Sequence, residues 1–236
     1  MTLPASATAG PILKPVDQPK SLKQAAYEAL HRAILAGELR QGEIYKEKEL
    51  ATRLSISRTP VREALLELST KELVTFLPRK GVMITQFDQE DWNEIFELRR
   101  ALEVAIVEKV APLATSRDID RMEALLQEQQ ACAERQDGLA FLHYDRLFHS
   151  LLGDLTRNSR MISSYSNIQD LIQLMGTYSL TAEGRMQGAL DEHREIVQAL
   201  TQGNAEAACK RMIHHLEVTR DMALGRSALS SLQAKG

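Results

Sequence analysis

The sequence predicts a mainly α-helical protein of two domains. These are an N-terminal winged helix-turn-helix and a C-terminal all-α bundle of about six helices. Charge divides the chain first: residues 1–86 carry 13 Lys and Arg against 9 Asp and Glu, a net +4, while residues 87–236 are net −7. A basic front and an acidic back suit different partners, and a phosphate backbone favours the front alone. The second observation is the confinement of β-rich sequence to two short runs, Leu73–Phe76 and Val82–Thr85, around Pro78 and Gly81. The third is that from Asp88 onwards apolar residues recur at helical spacing.

The bulk composition agrees. Hydrophobic residues at 44% and charged residues at 26% are ordinary globular values and argue against a chain disordered throughout. Only 5% aromatics and 12 Gly lean towards helix. Two cysteines, Cys132 and Cys209, cannot form a disulfide framework, which points to a reducing compartment. No apolar run nears the ~20 residues that span a membrane. The first twenty residues lack a signal peptide's basic start and apolar core. The expectation is a cytoplasmic protein with no membrane partner.

Residues 1–20 hold four prolines and no period, and read as a flexible tail. Ser21 opens a helix, with Gln24 placed as its capping-box partner and Gly37 ending it. Short helices follow at about 47–54 and from the Ser57 cap to about Thr70. Pro60 is tolerated in the first turn, where no internal N–H bond is needed. The two β-rich runs then form a hairpin. Three helices and a hairpin make a winged helix-turn-helix over residues 21–86, with the joint at Gln86 and Phe87. Helices are expected at about 89–110, 118–135, 139–155, 159–175, 182–201 and 204–224. Their breaks fall at Pro112, Gly138, Asn158, Gly176 and Gly203. Residues 225–236 read as a tail.

The second short helix of the front domain, Ser57-Arg58-Thr59-Pro60-Val61-Arg62-Glu63-Ala64-Leu65, is the candidate recognition helix. Its N-terminal part would enter the major groove. Arg58 and Arg62 share a face four residues apart, and Arg pairs bidentately with guanine there. Thr59 can donate to phosphate, Lys48 can hold the backbone, and Arg79 with Lys80 at the hairpin tip can reach the adjacent groove.

Together with Glu47-Lys48-Glu49-Leu50-Ala51, Leu73-Val74 and Pro78-Arg79-Lys80-Gly81-Val82, this stretch resembles the GntR family of bacterial transcription regulators. The resemblance covers residues 21–86. It implies double-stranded DNA contact by Lys48, Arg58, Thr59, Arg62 and the wing residue Gly81. Two positions depart from the family pattern, Ser55 in the turn and Glu72 after the recognition helix, where glycine is usual.

In the back domain, Asp145 and His149 fall on the apolar stripe of the 139–155 helix, four residues apart. His193 lies among Leu190, Val197 and Leu200, and His215 lies near Ala208 and Met212, while His214 points about 100° away. A carboxylate on a core face is costly unless paired or metal-bound. Inward imidazoles and one carboxylate from several helices therefore suggest a metal centre, although satisfied core histidines would give the same pattern. Three nitrogens and one oxygen suit Zn, Ni, Mn or Fe.

The runs Glu97–Glu103, Asp145–His149, Glu192–Ile196 and Met212–Leu216 resemble the FCD ligand-binding domain of FadR-type GntR regulators, over residues 88–224. In its metal-binding members an Asp, the His four residues on and two later His hold a divalent ion. The resemblance assigns those roles to Asp145, His149, His193 and His215, with zinc foremost. Fatty-acid-binding members lack this set, and six helices fit the VanR-like subgroup. Arg157-Asn158 replaces the family's usual Gly-Asn. Arg99 could fork onto a ligand carboxylate, or pair with Glu103 or Glu97. Tyr144 and Tyr178 are weaker candidates for a pocket.

The sequence reading is thus a ligand-responsive repressor. It would act as a homodimer on a pseudo-palindromic operator, with a small carboxylate or sugar acid as effector. Two alternatives are a metal that only staples the bundle, and a metal-dependent hydrolase with Glu192 or Glu195 as base. Glu192 is expected off the inward face.

Overall fold

In a computed structural model, residues 21–179 and 184–233 are described. The expected tail over residues 1–20 lies outside them. Three helices, α1 (Leu22–Leu35), α2 (Glu47–Arg53) and α3 (Arg58–Thr70), pack with a small sheet into the N-terminal unit. Ser21 caps α1 by accepting from the Gln24 N–H at 3.1 Å. The Gln24 side chain does not close a capping box; it donates to Glu28, one turn on. Ser57 occupies the N-cap of α3 without a side-chain cap bond.

The sheet has a third strand that the sequence does not reveal. β1 (Ile44–Tyr45) joins β2 (Val74–Leu77) and β3 (Gly81–Ile84) in the antiparallel order β1-β3-β2. Two residues are too few to show an alternation. Their pairing, Tyr45 opposite Val82, explains Gly81: its φ is +139°, and a Cβ there would meet the Tyr45 carbonyl oxygen at 2.4 Å. Gly81 is thus demanded by the close approach of two strands.

Six helices build the C-terminal unit: α4 (Gln89–Val110), α5 (Ser116–Glu134), α6 (Gly138–Leu155), α7 (Ser159–Ser179), α8 (Arg185–Thr201) and α9 (Ala205–Gln233). Asp88 opens α4 and Thr115 opens α5 with complete capping boxes. Gly176 lies within α7 and does not end it. The last helix continues to Gln233, through most of the stretch expected as a tail. Phe141, Phe148, Met122, Ile106 and Leu152 fill the bundle core.

Helix α7 belongs to both units. Leu171 and Leu174 are buried with Leu30, Ile34 and Leu68 in the N-terminal core. The Gln41 amide donates to the Leu174 carbonyl at 3.2 Å. Beside them Asp170, almost fully buried, faces Arg146 of α6 at 2.7 Å, His31 of α1 at 2.9 Å and Lys71 at 3.3 Å. Burial opposes its ionisation, but His31 and Arg146 outweigh this and hold the carboxyl well below the usual range.

Ser55, Glu72 and Arg157 are the three positions where the resemblance expects glycine, and each has left-handed φ: +55°, +59° and +52°. The turn geometry is kept, with side chains that bear the cost. A left-handed non-glycine residue is disfavoured by ~1–2 kcal/mol, partly offset by glycine's greater unfolded freedom. Glu72 is exposed, so Glu72→Gly should stabilise the protein by ~0.5–1 kcal/mol and raise Tm by about 1–4 °C in a thermal melt. An unchanged or lowered Tm would refute the strain.

Candidate metal centre and nucleic-acid interface

Asp145 and His149 stand one turn apart on α6, and His193 on α8 and His215 on α9 come to meet them. Their ligand atoms all lie within 4.8 Å of one another. His193 Nε2 is 3.4 Å from His215 Nε2 and 3.5 Å from Asp145 Oδ1, and His149 Nε2 is 4.0 Å from Asp145 Oδ1. A metal ~2.0–2.1 Å from each of two donors keeps them within about 4 Å of each other; the three separations just given meet that limit, and the widest pair, within 4.8 Å, must draw together for all four groups to hold one ion.

The second layer explains why it is Nε2 that converges. The His149 Nδ1 contacts Glu103, His193 Nδ1 lies 2.9 Å from Gln129 Oε1, and His215 Nδ1 lies 2.7 Å from Glu192 Oε2. Each imidazole thereby donates Nδ1–H outwards and turns a lone pair inwards, the arrangement of a metal-ligating histidine. The Phe148 ring stacks on His193 with centroids 4.6 Å apart and fixes its plane. Burial, reinforced by the neighbouring imidazoles, pushes the His193 and His215 pKa values well down. Neutral rings are what a cation requires.

Glu103 is the hub of that layer. It is 2% exposed and also accepts from Arg99 Nε at 2.5 Å and from the Tyr165 hydroxyl at 3.1 Å. Burial raises its pKa, but His149 and Arg99 more than reverse this and keep it ionised. Of the two readings of Arg99, the pairing with Glu103 is present, and its Nη2 reaches 3.2 Å from His149 Nε2 at the wall of the cavity. Arg100 points away, 4.0 Å from Glu217.

Glu192 is a correction. It is largely buried and reaches sideways from α8 to take His215 and both Nη atoms of Arg185, at 2.8 and 3.0 Å. Arg185 lies on the same helix, but spacing along α8 could not reveal the partner that α9 supplies, His215. Tyr144 packs edge-on against His143 and does not line the cavity. The Tyr178 side chain lies outside those described. The cavity opens beside the cluster, walled by Trp92, Phe96, Leu142, Ile172 and Met175, with Arg99, Arg146 and Arg185 among them.

On the N-terminal unit, Lys48, Arg58, Thr59, Arg62 and Arg79 are all exposed. Arg62 lies 3.7 Å from Glu47, a loose solvent-facing pair that DNA can replace. Arg79 sits at the wing tip with φ +64°.

A winged helix-turn-helix joined to a six-helix bundle with an inward Asp/His cluster defines a class of transcriptional regulators. Residues 94–218 match the FCD domain, and residues 22–84 match the gntR family of bacterial regulatory proteins. The chain belongs to the GntR family, with a helix-turn-helix DNA-binding domain and an FCD domain, and is a transcriptional regulator and not an enzyme. It is 29% identical over 201 residues to YdhC, an HTH-type transcriptional regulator of Bacillus subtilis strain 168, covering 85% of this chain and 90% of that one. It is 25% identical to the HTH-type transcriptional repressor RspR of Escherichia coli K12, covering 83% and 86%. A putative GntR regulator from Rhodococcus sp. RHA1 superposes with a TM-score of 0.74 at 26% identity, covering 86% of this chain and 97% of that one. No helix among the described residues is long and apolar enough to cross a membrane.

Because His193 and His215 are held neutral, the unfolded chain binds more protons than the native one below the ordinary histidine pKa of ~6.5. The metal-free protein should therefore lose stability as pH falls from about 6.5 towards 5. Calorimetric melts in the presence of a chelator measure this, and a flat profile would contradict the buried neutral rings.

Proposed function

We propose that this protein is a repressor whose FCD domain binds a divalent cation and a small organic acid, and whose occupancy sets its grip on DNA. The supporting observation is the convergence of four donor atoms within 4.8 Å, each imidazole oriented by its own outward acceptor. Asp145, His149, His193 and His215 hold the ion, with zinc foremost and nickel, manganese or iron as alternatives. When bound, the ion supplies a Lewis-acidic anchor for a carboxylate. Arg99 stands at the same wall to donate to that carboxylate.

Lys48, Arg58, Thr59, Arg62 and Arg79 form the DNA-facing surface. Gly81 shapes the wing that carries Arg79. A homodimer places two recognition helices on a pseudo-palindromic operator in the cytoplasm. The repressor named among the relatives supports the sign. Arg146 links the halves: it lines the cavity, follows the ligand Asp145 in sequence and holds Asp170, which also faces His31 and Lys71 of the DNA-binding unit. An effector that draws on Arg146 changes the strength of that docking, and differential affinity for two dockings is what regulation needs.

Zinc at one hundred times its Kd should stabilise the wild-type protein by ~2.7 kcal/mol, and a chelator should abolish the shift. His193→Ala should show little of it. Equal shifts in both proteins would place the metal elsewhere. On duplexes recovered by selection from a random pool, Arg58→Ala should weaken binding by ~1–3 kcal/mol and flatten its salt dependence. Undiminished binding by Arg58→Ala would remove α3 from the groove.

A further inference from the structure

We infer that the effector is a carboxylate carrying a single negative charge on an apolar body, such as a branched aliphatic or aromatic monocarboxylate, and neither a dicarboxylate nor a sugar acid. This inference rests on the metal-and-acid reading above.

Charge is the first argument. Three arginines line the cavity, and each already owns a carboxylate. Arg99 pairs with Glu103 at 2.5 Å, Arg146 with Asp170 at 2.7 Å, and Arg185 with Glu192 through two bonds. Lys71 and His31, which also face Asp170, belong to the DNA-binding unit on the far side of that carboxylate. What is left is Asp145 with a divalent cation, a surplus of one positive charge. A monoanion neutralises it. A second carboxylate in the same cavity would be a charge without a partner.

Polar demand is the second argument. Gln169 donates to Ser150 Oγ at 2.5 Å, Gln173 accepts from Arg146 at 2.9 Å, and Thr219 accepts from Arg185 at 2.8 Å. One end of each of these uncharged polar groups is thus already engaged, and a row of ligand hydroxyls would compete for those partners. Two of the donors left for a ligand belong to arginines of the cavity wall. Arg185 Nε is buried with no acceptor. Arg99 Nη2 now faces the His149 Nε2 lone pair, and gives up that acceptor when the nitrogen takes a metal. Trp92, Phe96, Leu142, Ile172, Met175 and Ala189 supply the rest of the surface. Such a wall gains from apolar area removed from water.

The test is isothermal titration of the zinc-loaded full-length protein with four probes: benzoate, 4-methylpentanoate, succinate and D-gluconate. At least one monocarboxylate should bind tenfold or more tightly than both succinate and gluconate. Glu192→Gln, which leaves Arg185 without its anion, should shift the preference towards succinate by about tenfold. If that variant fails to hold zinc, the wild-type ranking decides alone. Succinate or gluconate binding as tightly as the monocarboxylates overturns this inference and leaves the metal-anchored effector standing. Binding of zinc with none of the four acids overturns the effector reading and this inference with it.

Discussion

Ionised groups buried among helices persist only when each meets an opposite charge or a set of donors at hydrogen-bond distance. Glu103 is where the bundle meets that condition most completely, taking bonds from His149, Arg99 and Tyr165 on three different helices. Remove it, and Arg99 is a buried cation without an anion, His149 loses the acceptor that fixes its tautomer, and Tyr165 loses its partner. Breaking such a buried set by deleting one member characteristically costs ~3–5 kcal/mol. The same rule repeats at Glu192, which serves His215 and Arg185, and at Asp170, which serves both domains. The interior is therefore built from opposed charges, and the converging nitrogens of the histidines are a set of donors that could hold a metal ion.

The sequence showed much of this, and the reason lies in periodicity. Asp145 and His149 could be placed on one face because they are four residues apart on a helix whose apolar stripe is continuous. His193 and His215 followed by the same reasoning. The resemblance to the FCD domain then tied the four together. Glu103 with Arg99 and Glu192 with Arg185 pair within single helices, but their bonds to His149, Tyr165 and His215, like that of Gln129 to His193, cross between helices, and a one-dimensional pattern does not record which helices face each other. Strand β1 stayed hidden because two residues have no period. The Gln24 capping box failed for a local reason, since Glu28 one turn on offers the amide a charged acceptor.

The three departures from the family's glycines show a different kind of legibility. Ser55, Glu72 and Arg157 differ in size and charge, yet all adopt left-handed backbone. Each closes a turn at the end of a helix, where the next element must leave in a fixed direction. Tertiary packing of α2, α3 and α6 imposes that direction and overrides the local preference of the side chain. What looks in sequence like a loss of turn chemistry is a turn retained under strain.

Helix α7 has a consequence for what counts as a part of this molecule. The chain can be divided near residue 87 on paper, and charge, periodicity and family matches all support the division. Yet Leu171 and Leu174 complete the core of the N-terminal half from more than eighty residues downstream. Severing the chain at the joint would uncover an apolar wall on each piece, so the N-terminal module depends on the FCD domain to cover part of its core. Exchange of whole FCD domains between relatives is thereby constrained: a transplanted bundle must bring a seventh helix whose leucines and carboxylate match the reader it is given.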